Sequence, residues 1–435
     1  MAMADVPSLR YARYGLAILF LVALFNYIDR SIISILQEPL KADLKLSDTQ
    51  LGALTGLSFA ILYSTMALPI ARLADRWNRK KLIAAALAIW SSATAACGLA
   101  NNFATLVAFR MGVAFGEAGC VPASHSMIAD YFPLRQRATA LAVWGLSSPL
   151  GTMLGFAAGG WITQAMSWRE AFMVFGIVGV ALAPLVLTAK EPVRGRFDDH
   201  ADERVQVPLR EALGVLWKSR AFRFLAGGGA AHAFVLYSVQ NWNAPFFSRV
   251  HEMPLTQVAL FLALAFGLGG GIGQFLGGAL ADRLGRRDRR WYMWVPGAGS
   301  ALLIPVSLAT YLAGDAVVSM VFGTLQALLL FVYTASTVAT AQMLVPPQMR
   351  AFTSAMLVLI VNILGLSLGP LVTGMVSDAL QPAFGTQSLR YAIAFSVGME
   401  VVATVCFFCS ALYLVRELKG AAAEGAGPGP ELARA

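Results

Sequence analysis

Apolar residues fall in long runs separated by short polar clusters. A helix that crosses a bilayer needs about 20 mostly apolar residues, and twelve such runs are centred near residues 26, 60, 91, 116, 150, 178, 233, 268, 301, 329, 364 and 402. The pattern predicts an all-α membrane protein with twelve transmembrane helices. The first run, Leu16 to Leu36, follows a polar start containing Arg10 and Arg13 and lacks a small-residue cleavage pattern. It reads as a retained span, not a signal peptide.

Composition agrees. The 435 residues are 57% hydrophobic and 13% charged, against about 25% charged for soluble domains, and mean hydropathy is +0.65. The net charge of +9 is unevenly distributed. If both termini are cytoplasmic, the odd-numbered connections hold only Lys41, Lys45, Arg169, Arg249 and Arg390, and nearly all other basic residues lie at the cytoplasmic ends. That asymmetry is an orientation signal, so nucleic acid is not an expected partner. Cys97, Cys120, Cys406 and Cys409 all lie in apolar runs and read as packing. The four histidines form no metal-ligand pattern, and no nucleotide-binding loop is present. No metal or cofactor is expected, apart from coupling to a proton gradient.

A polar segment divides the chain. The expected organisation is a six-helix bundle over 1–189, a cytoplasmic linker over 190–221, a second six-helix bundle over 222–415, and a Pro/Gly-rich cytoplasmic tail over 416–435 that is expected to be disordered. Two repeats support the division. ARLADRWNRKK from Ala71 matches GALADRLGRRD from Gly278, aligning Asp75 with Asp282; GLSSPLG from Gly145 matches GLSLGPL from Gly365. Repeated halves that rock around a central site are one architecture of secondary transporters.

GALADRLGRR resembles the signature loop of the major facilitator superfamily. The first-half copy departs from it, with Ala71 and Asn78 at glycine positions. FNYIDR at Phe25, RMGVAFGEAG at Arg110 and PASHSMIADYFP at Pro122 are similar to the Spinster branch, whose eukaryotic members carry sphingosine phosphate or lysophospholipids. Ala114 and Ser148 replace glycines usual in the family's helix-four and helix-five motifs. The resemblance implies the superfamily fold, two pseudo-symmetric six-helix bundles, alternating access, and a bacterial inner membrane. In each signature loop an aspartate precedes a basic cluster, which makes Asp75, Arg76, Arg79, Asp282, Arg283 and Arg286 candidates for a latch that breaks when the cavity opens inward.

FNYIDRSII places Asn26, Asp29 and Arg30 inside a spanning run, where each charge is costly unless paired or facing water. Arg110 and Glu117 lie two turns apart on one helix face. Together these residues argue for a polar network facing a cavity, with Asp29 expected to pair with Arg110 and Arg30 to engage Glu117 or the substrate. Arg30 or Arg110 can hold an anion, and Asp29 or Glu117 can carry a coupling proton. Second-half candidates for a polar head are Tyr237, Asn241, Tyr333 and Thr337, near His232, Gln240, Asn243 and Gln326; Glu400 is a further buried acid. The expected function is secondary active transport of an amphiphilic anion, a lysophospholipid or sphingolipid-like phosphate, by a monomer among membrane lipids. The alternative is a proton-linked exporter of small organic or amphipathic compounds.

Overall fold

The computed structural model describes residues 9–197 and 208–425. Among them the chain is helical throughout, and nine helical stretches are long and apolar enough to cross a membrane. The first half contains α1 (Leu9–Ile35), α2 (Gln37–Leu44), α3 (Asp48–Gly52), α4 (Ser58–Arg76), α5 (Arg79–Cys97), α6 (Phe103–Glu117), α7 (Cys120–Tyr131), α8 (Leu134–Gly145), α9 (Ser147–Ala165) and α10 (Trp168–Leu187). After the polar segment come α11 (Leu209–Lys218), α12 (Arg220–Val250), α13 (Leu255–Leu262), α14 (Gly270–Gly285), α15 (Trp291–Leu312), α16 (Ala316–Phe331), α17 (Thr334–Met343), α18 (Arg350–Val361), α19 (Ser367–Phe384), α20 (Ser388–Val397) and α21 (Met399–Gly425). Two long helices fall outside the nine. They are α5, which opens on Arg79, Lys80 and Lys81, and α12, rich in polar and small residues.

Polar residues between apolar runs set where helices begin. Asn78, Asn102, Ser219 and Asp315 cap α5, α6, α12 and α16 by accepting from backbone N–H groups inside the first turn. Three spanning stretches are not uniformly α-helical: π-helical segments at Ala53–Leu57, Ala263–Gly269 and Asn362–Leu366 join α3 to α4, α13 to α14 and α18 to α19. Such segments displace side chains relative to a regular helix and recur at functional sites. At the chain's end α21 continues through Gly425, past residue 415, because RELKGAAAE is made mostly of good helix formers. The expected disorder of residues 426–435, and linker residues 198–207, lie outside the described residues.

Each half packs mainly on itself, α5 on α6 and α10 and α1 on α9 in the first, α12 and α15 on α21 in the second. One core contains only first-half residues apart from Leu366, around Leu19, Ile83, Leu87, Trp90 and Val113. The other lies largely in the second half but takes in Ile32, Ile33, Leu36, Leu40, Leu51 and Leu54. The halves therefore share a core at one end, where α1 finishes and α3 begins. There α3 lies so close to α19 that a Cβ on Gly374 would stand 2.3 Å from the Asp48 carbonyl oxygen, and one on Gly52 2.3 Å from that of Pro370. Large apolar side chains such as Trp161, Ile177, Phe275 and Phe395 are exposed on the outside, as expected of a surface solvated by lipid.

Candidate functional site

A cavity of about 400 Å³ lies between the halves, beyond the shared core. Its lining includes Arg30 and Arg110, Phe59, Trp144, Tyr237, Gln240, Asn241, Phe266, Phe331 and Tyr333. One wall is thus cationic and the remainder largely aromatic or amide.

The cationic wall is built from α1, α4 and α6. Arg30 Nε donates to Glu117 Oε2 at 2.8 Å, with Glu117 fully buried and the arginine side chain 26% exposed. Behind it, Asn26 and Asp29 are each 2% exposed and Asn26 faces the Glu117 carboxyl. Asp29 does not form the expected pair with Arg110. Its neighbours are Trp90 and Thr94 of α5, and Arg110 acts on it electrostatically without a hydrogen bond. Asp29 Oδ1, Glu117 Oε1, Arg110 Nε and Arg110 Nη1 are buried and meet no hydrogen-bond partner. Arg110 lines the cavity with its Nε and Nη1 buried and unpartnered, whereas Arg30 has committed its Nε.

An aromatic shelf holds both guanidinium groups. The Phe59 ring centroid lies 5.1 Å from Arg30 Cζ and 5.3 Å from Arg110 Cζ, and Tyr63, stacked on Phe59, lies 4.6 Å from Arg30 Cζ. These are cation–π distances. The sequence reading passed over Phe59 and Tyr63; their four-residue spacing on a spanning helix was the available signal.

The second half supplies Tyr237, Asn241 and Tyr333 to the cavity lining. Asn241 also ties the halves together, accepting from Ser34 Oγ at 3.1 Å through Oδ1 and from Gln37 Nε2 at 2.9 Å through its backbone oxygen. Thr337 does not belong to the site. It is buried, and its hydroxyl donates to the Tyr333 carbonyl one turn earlier, at 3.0 Å. Asn26, Asp29 and Glu117 stand behind the lining rather than in it.

Among the described residues, the hydrogen-bonded side chains at the basic loops, Arg79 and Asp282, meet partners in their own half or in the segment that follows it. The Asp75 side chain lies outside the described residues. Arg79 is buried among Asp130, Glu191 Oε1 at 2.8 Å, Ser126 Oγ at 2.8 Å and the Pro192 carbonyl at 2.9 Å, all in the first half or the segment after it. Asp282 accepts from Tyr292 of the next helix at 3.0 Å, while Arg76, Arg283 and Arg286 are exposed. Charges that cross between the halves stand at the opposite end. Asp48 accepts from Arg249 Nη1 at 2.7 Å, from Lys41 Nζ at 2.5 Å and from Ser377 Oγ at 2.6 Å, and Arg249 also donates to Glu38 at 2.6 Å. Asp378 receives the backbone N–H groups of Asp48 at 3.0 Å and Thr49 at 2.7 Å, capping α3 from the other half. This cluster closes the end where the core is shared. Nearby, the Arg169 guanidinium beside Asp43 holds that carboxyl below the usual carboxylate range.

A helical membrane bundle with a cavity between two halves and paired charges sealing one end is the form of an alternating-access carrier. The family model described as Major Facilitator Superfamily matches residues 19–310. The chain belongs to that superfamily. It is a multi-pass secondary transporter rather than an enzyme, and among superfamily members it resembles Spinster. An MFS-type efflux pump of Mycolicibacterium smegmatis is 34% identical, the match covering 95% of this chain and 96% of the pump. Protein spinster homolog 3 of Danio rerio is 25% identical over 98% of this chain and 90% of its own length. A crystal structure of a bacterial homologue of the human lysosomal transporter Spinster, inward-facing and unoccupied, superposes with a TM-score of 0.87 at 29% identity, covering 94% of this chain and 98% of the other.

Proposed function

We propose that this superfamily member moves an amphiphilic anion, a lysophospholipid or related lipid phosphate, coupled to protons, across a bacterial inner membrane. The observation that carries the reading is the cavity itself. Arg30 and Arg110 both stand in its lining, Arg110 with no hydrogen-bond partner at Nε or Nη1, and Phe266, Phe331, Leu236 and Leu366 supply apolar surface beside them. A phosphate head matches the guanidinium donors, and an acyl tail matches the aromatic and aliphatic side. Arg30 is held by Glu117, so an anion that recruits Arg30 loosens it from that carboxyl and makes the acid easier to protonate. Loading an anion and loading a proton then favour each other, with Glu117 the better proton carrier and Asp29 the group that balances Arg110.

The basic loops and both termini are assigned to the cytoplasm by the positive-inside rule. On that assignment the Asp48–Arg249 cluster seals the external end and the cavity faces inward, the state named for the Spinster homologue. The similarity to an efflux pump over nearly the full chain supports a second reading, proton-linked export of small organic or amphipathic compounds. Reconstituted transport of a lysophospholipid panel alongside small cationic and neutral drugs, with and without a proton gradient, tests both. Saturable lysophospholipid flux lost in Arg110→Ala supports the first. Drug flux with no lysophospholipid flux replaces it with the second, and a rate indifferent to the gradient removes the coupling.

A further inference from the structure

Another buried acid lies in the second half, away from the Arg30 network. Glu400, on α21, is fully buried and His232, on α12, is 1% exposed. His232 Nδ1 lies 3.0 Å from Glu400 Oε2 and 3.1 Å from Ser300 Oγ of α15, and Nε2 lies 2.9 Å from the Leu330 carbonyl oxygen of α16. Neither His232 nor Glu400 lines the cavity.

The partners dictate the protons. A carbonyl oxygen only accepts, so Nε2 carries its hydrogen in every state of the site. The 3.0 Å contact between Nδ1 and Oε2 then needs one shared proton, as imidazolium with carboxylate or as imidazole with carboxylic acid. Both arrangements have zero net charge, which is what a buried site tolerates. Loss of that proton to water leaves two acceptors face to face and a net charge of −1. Ser300 serves both states, since its hydroxyl accepts from Nδ1–H in the first and donates to bare Nδ1 in the second.

This site stands one ring away from the cavity. Tyr333 lines the cavity, and its ring centroid is 4.2 Å from that of His232. Among the described residues, the titratable groups acting on the site are Glu400, Tyr333 and, behind it, Tyr237. The other groups against this face of α12 are Ser300, the Leu330 carbonyl and the Phe407 ring.

We propose that His232, Glu400 and Ser300 form a second proton-binding site, which holds one proton between imidazole and carboxyl and, on losing it, places a negative charge behind the Tyr333 wall of the cavity. An anion in the cavity then favours the protonated form, so the second half contributes to coupling independently of Glu117.

The test uses the purified full-length chain labelled with ¹⁵N-histidine, without substrate, titrated from about pH 5 to about pH 9. Its outcome is therefore separate from that of the lysophospholipid assay. His232 signals are identified by their loss in His232→Gln. The expected result is one titration step that disappears in Glu400→Gln, with Nε2 protonated throughout. Without Ser300 the protonated form keeps its Nδ1–Oε2 hydrogen bond, whereas bare Nδ1 in the deprotonated form loses its donor, so Ser300→Ala should raise the midpoint by about one pH unit; this smaller change keeps the test usable if Glu400→Gln does not fold. A wild-type His232 signal flat across the range, or a midpoint unmoved in Ser300→Ala, overturns the proposal.

Discussion

Asp48→Asn tests whether the charge cluster holds its end of the bundle shut. Asp48 is 2% exposed and receives four donors, Arg249 twice, Lys41 and Ser377. Removing one partner of a buried ion pair costs about 3–5 kcal/mol when the other is left with nothing. Here Arg249 keeps Glu38 at 2.6 Å, and Lys41, 25% exposed, returns to water. The net loss falls to about 2 kcal/mol, or ~30-fold in the equilibrium between this end shut and open. A form open at this end and held at about 1% would rise to about a quarter of the population. Spin labels at exposed Ala42 and Thr386, in a background lacking the four native cysteines, report the separation of the halves by pulsed electron resonance. A longer-distance population should grow in Asp48→Asn and in Arg249→Gln, and the double variant should exceed the larger single effect only slightly. Distance distributions identical to wild type in both single variants would refute the assignment of the cluster as a gate.

Three further outcomes follow from the cavity. Glu117→Gln replaces an ion pair of 2.8 Å with a bond from a cation to a neutral amide and deletes the coupling acid, so uphill flux should fall at least ~30-fold, from about 2 kcal/mol of lost interaction, while downhill exchange persists; proton-driven uptake in proteoliposomes distinguishes them. Arg110→Ala should weaken binding of a phosphate-headed lysolipid by about 2 kcal/mol, ~30-fold, with Arg110→Lys recovering less than half of that energy because it lacks the guanidinium fork; scintillation proximity binding checks both. Phe59→Leu removes the shelf beneath two guanidinium groups and should cost about 1 kcal/mol of substrate affinity, ~5-fold, without moving the thermal midpoint by more than a few degrees; equal losses of folding and binding would assign Phe59 to packing alone.

The spanning runs were readable because a bilayer demands long apolar stretches, and the charges of FNYIDRSII were readable because they break that rule. Arg30 meets Glu117, one of the two partners left open for it. Asp29 was harder: it lies about 100 degrees around α1 from Arg30, which turns it toward Trp90 and Thr94, and one helix cannot reveal which neighbour stands in that direction. The gate was missed for a different reason. Glu38, Lys41, Asp48, Arg249 and Asp378 sit at the ends of apolar runs, where isolated charges ordinarily meet water, and the partners of Asp48 from the other half, Arg249 and Ser377, are 201 and 329 residues away. The repeated aspartate loops suggested a latch at the basic end, but with the opposite end closed the described side chains of those loops bond within their own halves. Thr337 was misassigned because a buried hydroxyl on a helix can satisfy itself on the preceding turn. The π segments follow from no local composition signal at all.

Arg30 of the buried network lies on α1 and the gate residues Glu38 and Lys41 follow on α2, and this gives the two sites a physical connection. Arg30 and Ser34 are one turn apart on α1, about 6 Å along the axis. Ser34 donates to Asn241 across the halves, Gln37 follows with a second bond to the same residue, and Lys41 and Asp48 come next along the chain. Asn241 itself lines the cavity. A ligand that takes hold of Arg30 and contacts Asn241 therefore acts on both sides of the bond that joins α1 to α12, at the inner edge of the seal. The residues beyond it are held mostly by charge, and the close backbone approaches at Gly52 and Gly374 leave little room for partial opening. Such an interface favours two discrete arrangements over a graded one. Switching by ligand then requires only that occupancy change the Arg30–Glu117 and Ser34–Asn241 contacts by an energy comparable to that of the Asp48 cluster, and both contacts stand within one helical turn of the cavity wall.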